Sequence, residues 1–274
     1  MVKVNYHLHS TGSDGKLSPK QVVEQAIKAG IKHLCFTDHY PEPKEIRNWG
    51  QEKFHSDKYF EEIKKLKEKY KAKIDISLGA EFEFVENFGE WFDKEIKRRD
   101  YDYLIGSVHL TKISREYGSI DYTPKAWIEY SEKAGSIRKL VENYYKRIRL
   151  LVESGLFDGI GHLDLIKIFN ENSRFFSETE SWYKQEVLRT LDLIEKKKMC
   201  LEINTSGWRK PCKEQYPSVW ILKEVKKRNI PITIGTDGHQ KVDEYLDEGI
   251  ELAKKLGFES VLIFHKRKPI EVKL

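Results

Sequence analysis

The sequence predicts an α/β fold with a parallel sheet inside and helices outside. Strand-like and helix-like segments alternate along most of the chain, which is the order that βαβ units produce. Six of the strand-like segments end in His, Asp or Glu. The chain has 274 residues, of which 39% are hydrophobic, and this suits one large domain. We therefore expect residues 1–274 to form a single domain.

The first predicted strand carries a pair of histidines. Apolar and polar residues alternate from Val4 to Leu8, which is the period of a strand. His7 and His9 therefore point to the same face, where two imidazoles could bind one divalent metal. Asp14 follows in a Gly/Ser-rich turn, from which a carboxylate could fold back over the strand end. Surface or hydrogen-bonded histidines are the alternative for this pair taken alone.

The remaining elements are predicted in alternation along the chain. Strands are expected at residues 34–37, 74–84, 103–108, 159–162, 201–204 and 231–236, with a closing strand near 261–264. Helices are expected at about 19–29, 57–70, 90–98, 137–153, 179–198, 218–228 and 243–256. Ser18 is the predicted N-cap of the first helix and Gly30 its end, while Asp57 is the predicted cap of the second.

Residues 111–135 form the longest stretch without a clear period, and they are rich in Tyr, Trp and Asp. A long irregular loop in a domain of this size is often functional, so we predict a possible lid or substrate loop here. The alternative is that this stretch only packs over the barrel.

The candidate ligands lie almost entirely at strand ends. In β/α barrels the active site lies at the carboxyl ends of the strands, so this placement predicts a common site. Three histidines lie off the strand ends and are assigned no role: His33, His55 and His265. The residues at strand ends are His7, His9, His39, Glu81, His109, His162, Asp237 and His239.

These residue types predict metal-assisted hydrolysis. Six imidazoles and three or four carboxylates exceed the needs of one tetrahedral ion and suit two or three divalent ions, for which Zn, Fe, Mn and Co are all acceptable. A carboxylate shared by two ions would hold them around one hydroxide, which metal ions generate near neutral pH. The chain has no GxSxG, Walker A or GxGxxG motif, so nothing supports a serine hydrolase, an NTPase or a dinucleotide enzyme.

Charge and composition argue against nucleic-acid and membrane partners. The net charge of +5 is modest, and the lysines alternate with glutamates along helical segments, as on solvated helix faces. No apolar run reaches the roughly 18 residues of a membrane span, and no signal peptide is recognised. Cys35, Cys200 and Cys212 have no CxxC spacing, so we expect reduced cysteines and a cytoplasmic location.

Seven short motifs, spread from about residue 4 to residue 240, carry a family resemblance. They are HLHSTGSDG, FTDHYP, GAEFEF, GSVHL, GHLDLIK, INTSGWRKP and GTDGH. Together they resemble the polymerase and histidinol phosphatase (PHP) family, and most closely its monofunctional histidinol-phosphate phosphatases. The resemblance implies a distorted seven-stranded TIM-like (β/α)7 barrel with a three-metal site. The seven strands counted before the closing segment agree with it.

The resemblance also implies a distribution of the ligands. The first ion would take His7, His9, Glu81 and Asp237, and Glu81 would bridge to a second ion held by His109 and His162. The third would take Asp14, His39 and His239; some family members have histidine where this chain has Asp14. Glu83 shares a strand face with Glu81 and is an alternative, but the G-x-E register favours Glu81.

The expected activity is hydrolysis of L-histidinol phosphate to L-histidinol and phosphate in histidine biosynthesis, by attack of a metal-bridging hydroxide. Glu81, Asp237 and Arg209 would be catalytic, and Arg209 and Lys167 would bind the phosphate, although solvated surface cations are the alternative for both. Asp164 would either accept a hydrogen bond that orients His162 or a neighbouring residue, or cap a helix. The substrate amine and imidazole would be bound by the 111–135 stretch, whose candidates are Glu116, Asp121, Tyr122, Trp127 and Glu129.

Three other functions are consistent with these motifs. The main alternative is a PHP-family phosphoesterase acting on nucleotides or short oligonucleotides, which should show a basic groove and stacking aromatics. A metal-stabilised barrel that serves as an interaction module is the second. The third is a metal-dependent amide or lactone hydrolase, by analogy of fold alone. The sequence does not predict the oligomeric state.

Overall fold

The chain alternates strands and helices, as the sequence predicts. The computed structural model describes residues 2–46, 54–113 and 116–274. Within these ranges the strands are β1 (Lys3–Asn5), β2 (Ile31–Phe36), β3 (Asp75–Glu83), β4 (Tyr103–Ser107), β5 (Leu110–Ile113), β6 (Glu116–Ser119), β7 (Gly159–Ile160), β8 (Cys200–Asn204), β9 (Ile232–Gly235), β10 (Ser260–His265) and β11 (Lys268–Lys273). The helices are α1 (Pro19–Lys28), α2 (Asp57–Tyr70), α3 (Gly89–Ile96), α4 (Pro124–Ala134), α5 (Ile137–Ser154), α6 (Ser181–Lys197), α7 (Val219–Lys227) and α8 (Leu246–Lys255).

Seven strands form one parallel sheet in the order β1-β2-β3-β4-β7-β8-β9. The sheet closes nearly completely, because the chain after β1 runs beside β9. There the amide of Tyr6 donates to the carbonyl of Ile234 (2.8 Å), and the amide of His9 donates to that of Gly238 (3.0 Å). The predicted seven-stranded β/α barrel is confirmed.

The end of the barrel away from the strand carboxyl ends is filled by apolar and aromatic side chains. The rings of Tyr6 and Tyr103 lie 5.5 Å apart, and Phe264 of β10 packs within 4.7 Å of Tyr103. The hydroxyl of Tyr6 accepts from the Phe264 amide (2.8 Å) and bonds to Ser77 (2.9 Å), so its burial leaves no polar atom unpaired. The β10–β11 hairpin therefore covers this end, and the site must lie at the other.

The helix starts follow from local hydrogen bonding. Ser18 and Gln21 form a capping box at α1, as the Ser-Pro start predicts. The cap of α2 is Ser56, whose side chain accepts from the Tyr59 amide, so the prediction of Asp57 as the cap was wrong by one residue.

No helix in the described ranges has the length and apolarity that a membrane crossing requires.

The prediction of an irregular stretch at 111–135 was wrong. Most of its described residues belong to regular elements: strands β5 and β6, which pair antiparallel with Leu110 opposite Ser119, and helix α4. Thr123 caps α4 and Pro124 occupies its first turn, a helix-start signal that the sequence analysis missed. Strand β11 was also missed, because its residues are mostly exposed and the alternation in it, IEVK, is only four residues long.

Candidate metal centre

The carboxyl ends of six barrel strands bring the predicted ligands together. His39 follows β2 and forms a parallel bridge with Glu81 of β3. The ring of His9 lies 4.3 Å from that of His39 and 4.2 Å from that of His239, while the rings of His109 and His162 are 4.7 Å apart. The residues that converge are His7, His9, Asp14, His39, Glu81, His109, His162, Asp237 and His239.

Glu81 lies at the centre of this convergence and is buried. Its Oε2 faces Nε2 of His7 (3.4 Å), Nε2 of His9 (3.6 Å) and Nδ1 of His39 (2.8 Å). Its Oε1 faces Nε2 of His162 (3.1 Å) and Nε2 of His109 (3.6 Å). The two oxygens therefore serve different groups of imidazoles, which is the arrangement expected of a carboxylate that bridges two ions.

The first group consists of His7, His9, Glu81 and Asp237, and it fits a metal ion. Nε2 of both histidines is buried and makes no hydrogen bond to the described residues. Oδ1 of Asp237 lies 3.2 Å from Nε2 of His9 and 3.9 Å from Nε2 of His7. Two atoms bound tetrahedrally to one zinc ion lie about 3.4 Å apart. The separations are those of ligands around a shared cation, and buried donor atoms without partners are otherwise costly.

The second group consists of Glu81, His109 and His162. Glu83 accepts from Nδ1 of His109 (3.0 Å) and from the backbone amides of His109 (2.8 Å) and Leu110 (3.0 Å). These bonds fix the ring and leave its Nε2 facing Glu81. Glu83 therefore orients a ligand, and Glu81 occupies the shared position, as the G-x-E register favoured.

The third group consists of Asp14, His39 and His239, with His9 close enough to join it. Oδ1 of Asp14 lies 3.3 Å from Nε2 of His239 and 3.9 Å from Nε2 of His39. His239 donates from Nδ1 to the carbonyl of Asp237 (3.0 Å), which directs its Nε2 toward Asp14. Three ligand groups thus adjoin one another, and they share His9 and Glu81.

The carboxylates and imidazoles shift each other's pKa values. Burial favours neutral Glu81 and Asp237, but the surrounding histidines, led by His39 for Glu81 and His7 for Asp237, hold both pKa values well below their usual range. Burial also disfavours charged His39 and His109, but Glu81 raises their pKa values to about 9 and about 10. Burial, His239 and His39 lower the pKa of His9 to about 4. Without metal, anionic Glu81 and Asp237 therefore lie beside protonated His39 and His109, while the ring of His9 is neutral.

Glu202 of β8 is a buried site residue that the sequence analysis missed. Its Oε1 accepts from Nδ1 of His7 (2.8 Å), and its Oε2 accepts from the backbone amide of His162 (3.0 Å). Gly235 leaves room for this pair, because a Cβ there would lie 2.2 Å from Glu202 Oε1 and 2.3 Å from the Cβ of His7. The available signal was a glutamate between Leu201 and Ile203 in the buried strand CLEIN.

Asp38 anchors the turn that carries Asp14. It accepts from the amide of Ser10 (2.7 Å), the hydroxyl of Ser13 (2.8 Å) and the hydroxyl of Tyr59 (2.7 Å). His55 is buried beside it and bonds through Nε2 to the Asp38 carbonyl (2.7 Å). His55 is therefore a structural neighbour of the site, although it lies off the strand ends.

The two predicted phosphate-binding cations differ in position. Arg209 lines the cavity above the ligands, and its Nη2 donates to the carbonyls of Thr236 (2.9 Å) and Asp237 (3.0 Å). Lys167 is only 2% exposed, and its ammonium lies 3.0 Å from Asp164 and 2.9 Å from Glu214. It does not line the cavity, so the structure provides no phosphate contact for Lys167.

Asp164 neither caps a helix nor contacts His162, but it is a hydrogen-bond acceptor for a neighbouring residue. It makes no side-chain cap hydrogen bond to the short helix that follows it, and its Oδ2 accepts from the amide of Ser218 (2.9 Å) instead of bonding to His162. The reason is that Asp164 points into the protein beside Lys167, away from the strand-end cluster.

The cavity above the ligands has a volume of about 690 Å³ and is open to solvent. Six residues of the ligand groups line it: Asp14, His39, His109, His162, Asp237 and His239. One wall carries Arg209, Lys210, Lys241 and Glu244, and another carries Leu110, Ser119, Asp121, Leu165 and Ile168.

The fold and site together define the class of this protein: a β/α barrel with clustered metal ligands at the carboxyl ends of its strands. The sequence matches the PHP domain family over residues 5–206. The chain belongs to that family, and the predicted resemblance is confirmed.

Its relatives place the chain in the histidinol-phosphatase branch. It is 30% identical over 263 residues to a probable histidinol-phosphatase of Deinococcus radiodurans, covering 94% of this chain and 93% of the relative. It is 28% identical over 270 residues to the histidinol-phosphatase of Bacillus subtilis, covering 89% of this chain and 96% of that one. It also superposes, with a TM-score of 0.78 and 26% identity over 98% of both chains, on the histidinol phosphate phosphatase of Lactococcus lactis, solved with Zn, L-histidinol and phosphate.

Proposed function

We propose that this protein is a metal-dependent phosphomonoesterase that hydrolyses L-histidinol phosphate to L-histidinol and phosphate. The observation that carries the proposal is the set of three adjoining ligand groups, whose members line the cavity with Arg209. The Lactococcus relative was solved with zinc and with both products of this reaction, which supports the same substrate here. The proposed location is cytoplasmic and the proposed pathway is histidine biosynthesis.

The ligand groups would hold two to three divalent ions, with Zn, Fe, Mn and Co as candidates. Bound ions would activate the attacking water and neutralise charge on the phosphoryl oxygens. In the proposed assignment, Glu81 would bridge the first and second ions and Asp237 would complete the first. The buried side chains of Glu83 and Glu202 would keep His109 and His7 in the orientation that turns Nε2 toward the ions.

Arg209 is the proposed phosphate-binding cation. Backbone carbonyls hold one arm of its guanidinium beside Asp237, and Glu244 lies 3.4 Å from its Nε. Its Nη1 is buried and makes no hydrogen bond to the described residues. That free arm, at the cavity wall, would donate to a phosphoryl oxygen and stabilise the charge that develops there. Water adds to phosphorus and loses a proton, the bond from phosphorus to the histidinol oxygen breaks, and the departing oxygen gains one proton, so the net reaction consumes one water molecule.

Turnover of a panel of phosphate esters tests the proposed function. The metal-loaded protein should show a kcat/KM for L-histidinol phosphate at least about 100-fold above those for AMP, a short oligonucleotide and p-nitrophenyl phosphate, because only the first substrate complements the whole cavity. The Glu81→Gln variant, prepared identically, is the control for contaminating phosphatases. A higher kcat/KM for AMP or the oligonucleotide would support the nucleotide-directed alternative instead.

A further inference from the structure

Phosphate chemistry alone does not explain how the site would select one ester. L-Histidinol phosphate has a protonated primary amine and an imidazole in addition to its phosphate. The metal-ligand groups and Arg209 can recognise only the phosphate. The cavity walls must supply the remaining contacts, and a carboxylate is the group that would pair with the amine.

Four carboxylates line the cavity without belonging to the three ligand groups or to Asp237. Three of them have partners of their own: Glu83 accepts from His109, Glu244 faces Arg209, and Glu42 has an interaction elsewhere. The fourth is Asp121, which is half-buried. Among the described residues, only Ser119 donates to it, at Oδ1 (2.5 Å), and Oδ2 accepts no hydrogen bond from them. One oxygen of Asp121 is therefore available to a ligand.

The position of Asp121 is fixed relative to the metal ligands. The preceding residue, Ile120, donates from its amide to the carbonyl of His109 (2.9 Å), and Ser119 pairs with Leu110 across the β5–β6 hairpin. Asp121 is also close enough to add to the effects of Glu81 and Glu83 in raising the pKa of His109. The hairpin thus fixes the backbone of Asp121 next to that of His109, a member of the second ligand group.

The same wall offers apolar contacts. Leu110, Leu165 and Ile168 line the cavity with Asp121, and each is nearly fully buried from solvent. Trp127, predicted as a possible ring-stacking residue, is 1% exposed and donates from Nε1 to the carbonyl of Ile166 (3.3 Å). It supports this wall from behind and does not face the cavity. Small-molecule sites commonly combine such an apolar wall with one or a few placed polar groups.

We propose that Asp121 binds the protonated amine of the substrate and that Leu110, Leu165 and Ile168 contact its carbon skeleton. This assignment rests on the proposed function and makes Asp121 a specificity-determining residue. A charge-assisted hydrogen bond of this kind contributes roughly 10- to 100-fold to binding. Because the amine is remote from phosphorus, part of that contribution should appear in kcat.

The experiment compares three substrates: L-histidinol phosphate, its analogue lacking the amine, and p-nitrophenyl phosphate. The wild-type protein should prefer the first over the analogue by roughly 10- to 100-fold in kcat/KM. Asp121→Asn should remove that preference, with less than about a threefold change on the other two substrates. Asp121→Glu keeps the charge and should retain part of the preference. Asp93→Asn, an exposed position on α3, is the matched control and should change nothing.

The outcomes separate this inference from the proposed function. Equal losses on all three substrates in Asp121→Asn would show a structural role and overturn the assignment. So would a wild-type protein that hydrolyses histidinol phosphate and its deamino analogue equally well, a result that requires no variant to fold. A wild-type protein that hydrolyses p-nitrophenyl phosphate but not histidinol phosphate would overturn the proposed function itself, and the assignment with it.

Discussion

Glu81 is a buried carboxylate that faces most of the histidines in the site. Five of the six histidines in the site have a ring nitrogen within 3.6 Å of one of its oxygens. A buried carboxylate requires compensating charge, and here histidines or metal ions supply it. Removing the negative charge of Glu81 would disturb all the surrounding histidines, because their ring nitrogens face that charge.

Glu81→Gln should therefore lower the metal content by at least one ion per chain and reduce turnover by more than about 1,000-fold. The amide keeps the size of the side chain but supplies neither the charge nor two equivalent ligand oxygens. Elemental analysis and phosphatase assays on the same preparation provide the two measurements. His265→Ala is the matched control, since the side chain of His265 is 61% exposed and lies 3.4 Å from Asp102, on the hairpin that covers the opposite end of the barrel. Full metal content in Glu81→Gln would contradict the bridging assignment.

Individual ligands were predictable where a motif placed them at a strand end, and Glu202 was not. His39, His109 and His162 lie at the carboxyl ends of predicted strands, so topology alone brings them to one end of the barrel. Glu202 lies inside a strand, and its role depends on His7, which is 195 residues away. His55 was set aside because it is off the strand ends, but burial lowers its pKa to about 4 and Asp38 accepts its hydrogen bond. Such pairings depend on packing in three dimensions.

At the scale of elements, a buried ionic cluster holds the segment that carries Arg209. Lys167 donates to Glu214 (2.9 Å) and to Ser218 (2.6 Å), and Ser218 also donates to Asp164. Residues 205–218 are thereby fixed to the chain that follows β7, and the pairing of Tyr216 with Asn204 closes the segment. Lys167 thus contributes to the site through the position of this segment.

Lys167→Met should lower the free energy of unfolding by roughly 3 kcal/mol, because it leaves the buried carboxylate of Asp164 without its cation. The double variant Lys167→Met/Asp164→Asn should recover part of that loss. Denaturant titration measures both, and Lys146→Met, at an exposed position on α5, is the matched control. Unchanged stability together with a higher KM for the phosphate ester would instead restore Lys167 to the phosphate-binding role that its motif suggested.

Hydrophobic patterns predicted the longer buried strands better than the short ones. Strands β3 and β8 are buried along their whole lengths or nearly so, and apolar runs predicted them well. The β5–β6 hairpin has two strands of four residues each, too few to establish an alternation. Strand β7 has two residues, and its identity comes from its pairing with β4 and β8. Short strands are stabilised by their neighbours in the sheet, which a local pattern does not reveal.

At the scale of the whole molecule, closure of the barrel brings motifs from distant parts of the sequence together at one site. His9 and His239 are separated by most of the chain, and their rings lie 4.2 Å apart because the segment after β1 runs beside β9. The order of strands and the chemistry at their ends were predictable from sequence. The distances between ligands, and the sharing of His9 between two groups, required the three-dimensional arrangement.

This arrangement makes metal binding compete with protons. In the metal-free protein, Glu81 raises the pKa of His39 to about 9 and of His109 to about 10, so both rings are protonated at neutral pH. A metal ion binds the neutral ring and must displace each proton. Affinity should therefore rise with pH up to about pH 9, by at most about tenfold per pH unit for each proton released.

Zinc titrations at pH 6.5, 7.5 and 8.5 should thus give progressively lower Kd values. Calorimetry in two buffers of different ionisation enthalpy counts the released protons, and we expect about two per chain from these two histidines at pH 7.5. His39→Gln and His109→Gln should each reduce that number by about one, whereas His265→Gln, outside the cluster, should leave it unchanged. A Kd that is independent of pH would mean that the rings are already neutral before metal binds, and that Glu81 balances its charge in another way.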